Sequence, residues 1–187
     1  MGENMKKLFI GRLIFVPYLL IAAIAVGRLF VAHPYNLIPI FSVLMFFGAC
    51  RPVREFGIPV LGLIGLDIFI TTHHYGYKLA PDQALTWMWY LLAANLGASA
   101  LSWKISMRRI VGSSLLLSVS YFVASNFSVW FEWKLYPMTL SGLTACYVAA
   151  LPFFRNSVTA ELGCSVFLFM LARYSQTLVA GSRLKRA

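Results

Sequence analysis

The sequence predicts an all-α membrane protein: a six-transmembrane-helix bundle with a re-entrant or interfacial segment before the last helix. Three observations carry this expectation. Of 187 residues, 60% are hydrophobic and 12% charged, whereas a soluble domain carries about 25% charged residues. Apolar runs recur along the entire chain and leave no room for a separate soluble catalytic module, so residues 1–187 read as a single integral membrane domain. The 16 Lys and Arg residues against 6 Asp and Glu give a net charge of +10. They fall between the apolar runs, where they act as topology signals rather than as a nucleic-acid surface.

The first span is placed at 8–31, with Arg12 and Arg28 snorkelling to the two membrane surfaces. Its basic start and its short apolar run over 13–27 resemble a signal peptide. Further apolar segments follow at once where a polar mature domain would stand, so a retained span is expected. Next come two short spans, 37–50 and 56–72, joined by the basic turn Arg51-Pro52-Val53-Arg54 and containing Pro39 and Pro59. A helix needs about 20 apolar residues to cross, so short spans imply tilt, breakage or shelter within a bundle. The spans 84–103 and 110–131 contain no charged residue and can cross fully; Lys104, Arg108 and Arg109 lie between them.

The region after Leu135 is ambiguous between one span and two. The positive-inside rule arbitrates. With six crossings, Lys6, Lys7, Arg12, Arg51, Arg54, Lys104, Arg108, Arg109, Arg183, Lys185 and Arg186 lie inside, against Arg28, Lys78, Lys134 and Arg155 outside: eleven to four. A seventh crossing lowers the ratio to nine to six. The last span is therefore 157–181 and both termini are cytoplasmic. Segment 136–154, with Pro137, Gly142 and Pro152, becomes an outer re-entrant or interfacial piece, and such backbone survives at membrane depth only beside protein or a watery cavity. No internal repeat aligns residue by residue.

This topology puts two intramembrane acids, Asp67 and Glu161, in the outer leaflet. Each costs at least about 2.5 to 3.5 kcal/mol in hydrocarbon, so each is expected to face the bundle interior or a cavity. Structural alternatives stand beside the functional reading. Glu161 follows Arg155-Asn156-Ser157, a helix start in which Asn156 caps and the carboxylate complements the helix dipole. Asp67 could be protonated or paired with a histidine. Asn95 and Asn126 could join helices by hydrogen bonds.

Trp87, Trp89, Tyr90, Trp130, Trp133, Tyr75, Tyr77 and Tyr136 cluster at the outer face, while Trp103 stands alone inside. A belt would populate both surfaces, so the asymmetry favours a stacking pocket for a planar ligand. His73-His74 lacks a second ligand pair at metal-binding spacing. Cys50, Cys146 and Cys164 are odd in number and form no C-x-x-C pair, which argues against a disulfide framework or zinc site. Hydrolase, phosphate-loop and dinucleotide motifs are absent. On the first span Ala23-x-x-x-Gly27, flanked by Ala22 and Ala25, offers a small-residue face to a partner helix or to a neighbour in the same bundle.

The strings NLIPIFSVLMFFGACRPVREFGIPVLGLIGLDIFI and ALPFFRNSVTAELGCSVFLFML, in this helix order, resemble the substrate-binding S components of energy-coupling factor transporters. SNFSVWFEWKLYPMTLSGLTACYVAALPFF is more similar to an uncharacterised bacterial family of small membrane proteins related to those S components. The likeness covers roughly residues 8–181. It implies a six-helix bundle of the bacterial cytoplasmic membrane, with an outward-facing pocket for a vitamin or other micronutrient and no ATP hydrolysis of its own. A membrane coupling protein with ATPases would dock on helix one, where the nearest match to the family's A-x-x-x-A pattern is Ala23-x-x-x-Gly27.

The expected function is therefore a membrane solute-binding or uptake subunit. Asp67, Asn126 and Glu161 are the polar anchors, Trp87, Tyr90 and Trp130 the stacking walls, and Ala23 and Gly27 the partner-helix contact. No catalytic residue, metal or cofactor is expected. The expected partners are a small-molecule ligand, the lipid bilayer, and either a coupling protein with ATPases or another membrane complex. The alternative is a non-transporting structural or accessory subunit of such a complex, with an intramembrane enzyme a distant third for want of a nucleophile–base pair.

Overall fold

A helix that is apolar on every side has to be buried. The segment IFSVLMFFGAC meets this demand at the centre of the fold. The computed structural model describes residues 15–30, 38–101 and 106–184, which form six α-helices and no strand. These are α1 (Val16–Phe30), α2 (Ile40–Cys50), α3 (Gly57–Phe69), α4 (Pro81–Leu96), α5 (Met107–Ser128) and α6 (Leu140–Leu184). Every residue of α2 from Phe41 to Cys50 is buried. At 11 residues it is about 16 Å long, half the roughly 30 Å hydrocarbon layer. Shelter within the bundle, rather than tilt, is how this short segment is accommodated.

Helices α3, α4 and α5 each end in a π turn, at Ile70–His74, Gly97–Leu101 and Val129–Trp133. The α2–α4 crossing is set by two glycines. A Cβ on Gly48 would lie 1.8 Å from the Ala94 carbonyl oxygen, and one on Gly97 would lie 1.9 Å from that of Met45. Backbone meets backbone at both points, which only glycine permits.

Successive helices alternate in direction, giving the bundle two poles. At one pole, Tyr18 near the start of α1 donates to Glu55 in the α2–α3 turn (2.5 Å), and Arg51 binds the same Oε2 through Nε and Nη2, each at 2.6 Å. At the other pole, Arg28 near the end of α1 meets Asp67 on α3 and Tyr90 on α4. Helix α5 runs antiparallel to α6. Tyr147 donates to the Val123 carbonyl (2.7 Å), the Phe122 and Phe154 rings lie 4.3 Å apart, and Ser165 reaches Ser114 (3.3 Å).

The last helix departs from expectation. Segments 136–154 and 157–181 are not a re-entrant piece and a separate span: α6 runs unbroken for 45 residues, about 67 Å, with Pro152 inside it. Proline removes one backbone hydrogen bond, a loss that helices tolerate where their surroundings re-satisfy the freed carbonyl. Arg155 and Asn156 are mid-helix residues, so Asn156 caps nothing. Residues 8–14 of the expected first span, and Trp103, lie outside the described residues.

Large apolar side chains stand on the exterior, and several polar ones lie within the mainly hydrophobic core. Ile58, Leu61, Leu116 and Phe167 are each 60% or more exposed, while Ser42, Asp67, Ser113, Ser114, Ser118, Glu161 and Ser165 are buried. Helix α5 with its π turn, Met107–Trp133, has 27 residues and a mean hydropathy of 1.5, long and apolar enough to cross a membrane. Val16–Leu29 and α2 are apolar but shorter.

Candidate functional site

Both intramembrane acids expected from the sequence lie at the Arg28 pole, and each is satisfied in a different way. Asp67, 11 residues into α3 and 7% exposed, is ion-paired with Arg28. Its Oδ2 accepts from the Tyr90 hydroxyl (2.9 Å) and from Trp87 Nε1 (3.2 Å), and Arg28 Nη1 donates to the same Tyr90 oxygen (3.1 Å). Four side chains from α1, α3 and α4 thus close one network. Arg28 turns into the bundle instead of snorkelling, and no histidine among the described residues pairs with Asp67.

Glu161, 5% exposed on α6, has no cationic partner among the described residues. Its Oε1 accepts from the Phe41 N–H (3.1 Å) and its Oε2 from the Ser42 N–H (2.7 Å). These are orphan donors of the first turn of α2, whose own N-cap, Pro39, supplies no side-chain bond. Glu161 therefore caps a helix 119 residues away in sequence and adds negative charge to the positive end of its dipole. Ser42 Oγ lies against Oε2 and donates to the Glu161 carbonyl (2.6 Å); Ser165 Oγ donates to Ser42 Oγ (2.8 Å) and approaches Ser114 Oγ. The chain of hydroxyls ties α2, α5 and α6 together.

Between the two networks lies a cavity of about 480 Å³, within the range of small-molecule sites. Arg28 and Tyr90 form one side and Glu161 another, with Phe41, Tyr121, Phe122 and Phe154 among the aromatic wall. Helix α5 contributes Ser118, Tyr121, Phe122 and Ser125, at the i, i+3, i+4, i+7 spacing of a single helical face. Tyr121 shares a hydrogen bond with Thr86 (3.0 Å). Ser118 Oγ is buried and has no hydrogen-bond partner among the described residues.

Of the six expected anchors and stacking walls, Tyr90, Asn126 and Glu161 line this cavity, and so does Tyr75 from the aromatic cluster. Asp67 and Trp87 stand behind it, touching it through Arg28 and Tyr90. Trp130 does not join them. Its Nε1 donates to the Pro137 carbonyl (2.9 Å), fastening the α5–α6 turn, and its ring packs on Phe127. Asn126 Nδ2 bonds the Phe122 carbonyl of its own helix, as Asn95 does with Leu91, so neither amide nitrogen joins two helices. His73 stacks on Phe69 and bonds Thr72 (2.8 Å). Ala23 is exposed, and a Cβ on Gly27 would meet nothing within 4 Å.

Sequence reasoning missed Arg28, Ser42 and Ser118. Arg28 sits 39 residues before Asp67 and looked like a helix-end anchor, and buried serines carry no signal in composition. The opposite charges of Arg28 and Asp67, both within spans, were the one available clue.

Residues 10–181 match a protein family described as a family of unknown function (DUF6580), and the chain belongs to it. No curated protein and no solved structure matches the chain.

Proposed function

We propose that this member of the DUF6580 family is a membrane-embedded subunit that binds a small molecule in the cavity between α2, α4, α5 and α6. The observation that carries the reading is the cavity itself. It lies inside a bundle with an apolar exterior and is lined by aromatic rings and hydroxyls, the few polar groups among many apolar ones typical of ligand sites.

Six crossings with both termini cytoplasmic accompany this reading. Exposed leucines, isoleucines and phenylalanines suit a lipid-facing exterior, and the alternation of six helices returns α6 to the pole where α1 begins. Arg28 and Arg155, counted outside on sequence, both fall within helices. By the same criterion Arg108, Arg109 and Arg183 also fall within helices, which leaves eight of the eleven inner charges opposed to Lys78 and Lys134. The likeness to S components fits a vitamin-sized ligand and a role in uptake, with a coupling protein and ATPases as partners.

The test is thermal unfolding of the detergent-purified protein against a panel of vitamin-sized compounds. A ligand at 100 times its Kd raises stability by about 2.7 kcal/mol. The expected result is a saturable rise in Tm with at least one compound. Absence of any rise across the panel, together with stable co-purification in a larger membrane complex, overturns the reading in favour of an accessory subunit. Alkaline phosphatase activity from a fusion at the C-terminus would overturn the six-crossing topology.

A further inference from the structure

We propose that the cavity takes an organic cation whose positive charge is spread over a ring or shielded by alkyl groups. The inference rests on the small-molecule reading above and adds the charge and chemical class of the ligand.

The charges of the cavity wall do not sum to zero. Arg28 and Glu161 are its ionisable side chains apart from tyrosines. The positive charge of Arg28 is matched by Asp67 behind it. Glu161 has only the N–H groups of Phe41 and Ser42 and the Ser42 hydroxyl to set against its carboxylate. The N-terminal end of a helix carries about half a unit of positive charge, so roughly half a unit of negative charge is left over. Its source borders the cavity, because Glu161 and Phe41, the partners of the Oε1 bond, both line it. Asp82 bonds Trp133 (3.3 Å) and Arg155 is exposed, and neither is part of the cavity wall. At about 6 Å and an effective dielectric constant of about 20, half a charge favours a cation over a neutral molecule about tenfold and disfavours an anion by as much.

The wall also decides the kind of cation. Among the described residues, no group of three or more His, Cys, Asp or Glu could hold a metal ion. A small hydrated ion would give up its water shell and find few oxygens in exchange. Aromatic rings stand there instead: Phe41, Tyr90, Tyr121, Phe122 and Phe154 all line the cavity. A cation within about 6 Å of a ring centroid is attracted to the negative face of the ring, most strongly when both are out of water. A sphere of 480 Å³ has a radius of about 5 Å, so a charge held inside stays within that reach of the wall. Both Glu161 oxygens already accept hydrogen bonds, so its carboxylate acts on a ligand chiefly through its field. A weakly hydrated cation, ring-delocalised or alkylated, gains most from field and ring faces together.

The experiment uses the full-length protein in detergent and three bicyclic probes of similar size: N-methylquinolinium, N-methylquinolin-2-one and 1-naphthoate. Binding is read by calorimetric titration, with protein-free micelles as the blank. The quinolinium is expected to bind at least tenfold more tightly than the quinolone, and the naphthoate more weakly still. Glu161→Gln keeps a carbonyl oxygen for α2 and should weaken the quinolinium about tenfold while leaving the quinolone unchanged, which shows that the cavity itself is intact. Phe122→Leu leaves the α2 fastening untouched and should weaken the quinolinium about fivefold, against twofold or less for the quinolone. Equal affinities for quinolinium and quinolone, or tightest binding of the naphthoate, overturn the ligand class and leave the small-molecule reading standing. A cation preference undiminished by both substitutions overturns the assignment to Glu161 and the rings. Binding of none of the three probes overturns the inference, and the vitamin-sized panel then shows separately whether the small-molecule reading falls with it.

Discussion

Asp67 and Glu161 sit at the same pole of the bundle and are equally hidden, yet the fold satisfies them by opposite means. Asp67 is matched by a full positive charge, Arg28, with two aromatic donors completing its shell. Glu161 is matched by backbone dipoles, the N–H groups that α2 leaves over because Pro39 cannot cap it. The first arrangement holds three helices by side chains alone; the second uses a carboxylate as the missing first turn of another helix. A buried acid in a helical bundle can therefore be a fastening, and its presence does not by itself assign it to a ligand.

The contrast makes ordered predictions for thermal unfolding in detergent. The largest effect belongs to Asp67→Leu, which strands Arg28 and should cost about 3 to 5 kcal/mol. The double change Arg28→Met with Asp67→Leu should recover most of that loss. A double variant no more stable than the single one would mean that the pair is not matched charge for charge. Glu161→Ala comes next, at about 3 kcal/mol, because two N–H groups and Ser42 lose their acceptor. Glu161→Gln keeps one carbonyl oxygen and should cost less than half as much. Equal losses in Gln and Ala would show that charge, rather than an acceptor, is what α2 requires.

Away from both acids, Gly48→Ala drives a methyl group into the Ala94 carbonyl and should cost about 2 kcal/mol, with α2 forced off α4. A neutral outcome would show that α2 can shift without disturbing either network. The smallest effect concerns Glu55, at the opposite pole. Burial pushes its carboxyl upward, but the Tyr18 hydroxyl and the Arg51 guanidinium outweigh burial and hold it below the usual carboxylate range. A depressed pKa contributes stability that is complete above the unfolded value of about 4.3 and fades as pH falls through the folded value. Wild-type Tm should thus decline below about pH 4.5, and Glu55→Gln should flatten part of that decline. An identical acid profile in the variant would remove Glu55 from the account.

Much of the architecture was legible because it follows from hydrophobic length. The segments 37–50, 56–72, 84–103 and 110–131 match α2 to α5 with their π turns to within a few residues, and the shelter of α2 followed from its being too short to cross. What escaped was continuity. Arg155-Asn156 and Pro152 read as a break, since local propensity cannot reveal that α5 supports the other side of that stretch through Tyr147, Phe154 and Ser165. The role of Glu161 escaped for the same reason: its partners are backbone groups on α2, which have no identity in a sequence. Asp67, by contrast, needed an opposite charge, and Arg28 was visible but assigned to the membrane surface.

One feature carries mechanical weight. Glu161 grips α2 near the middle of an uninterrupted 45-residue rod, with 23 residues of helix, about 34 Å, between that grip and Leu184. A rotation of about 5° pivoting on the grip swings the distal tip by about 3 Å, the diameter of a water molecule. Pro152 lies on the other side of the pivot, so no hinge interrupts the arm. Any event that loosens Glu161 from α2 is amplified at the far face of the bundle.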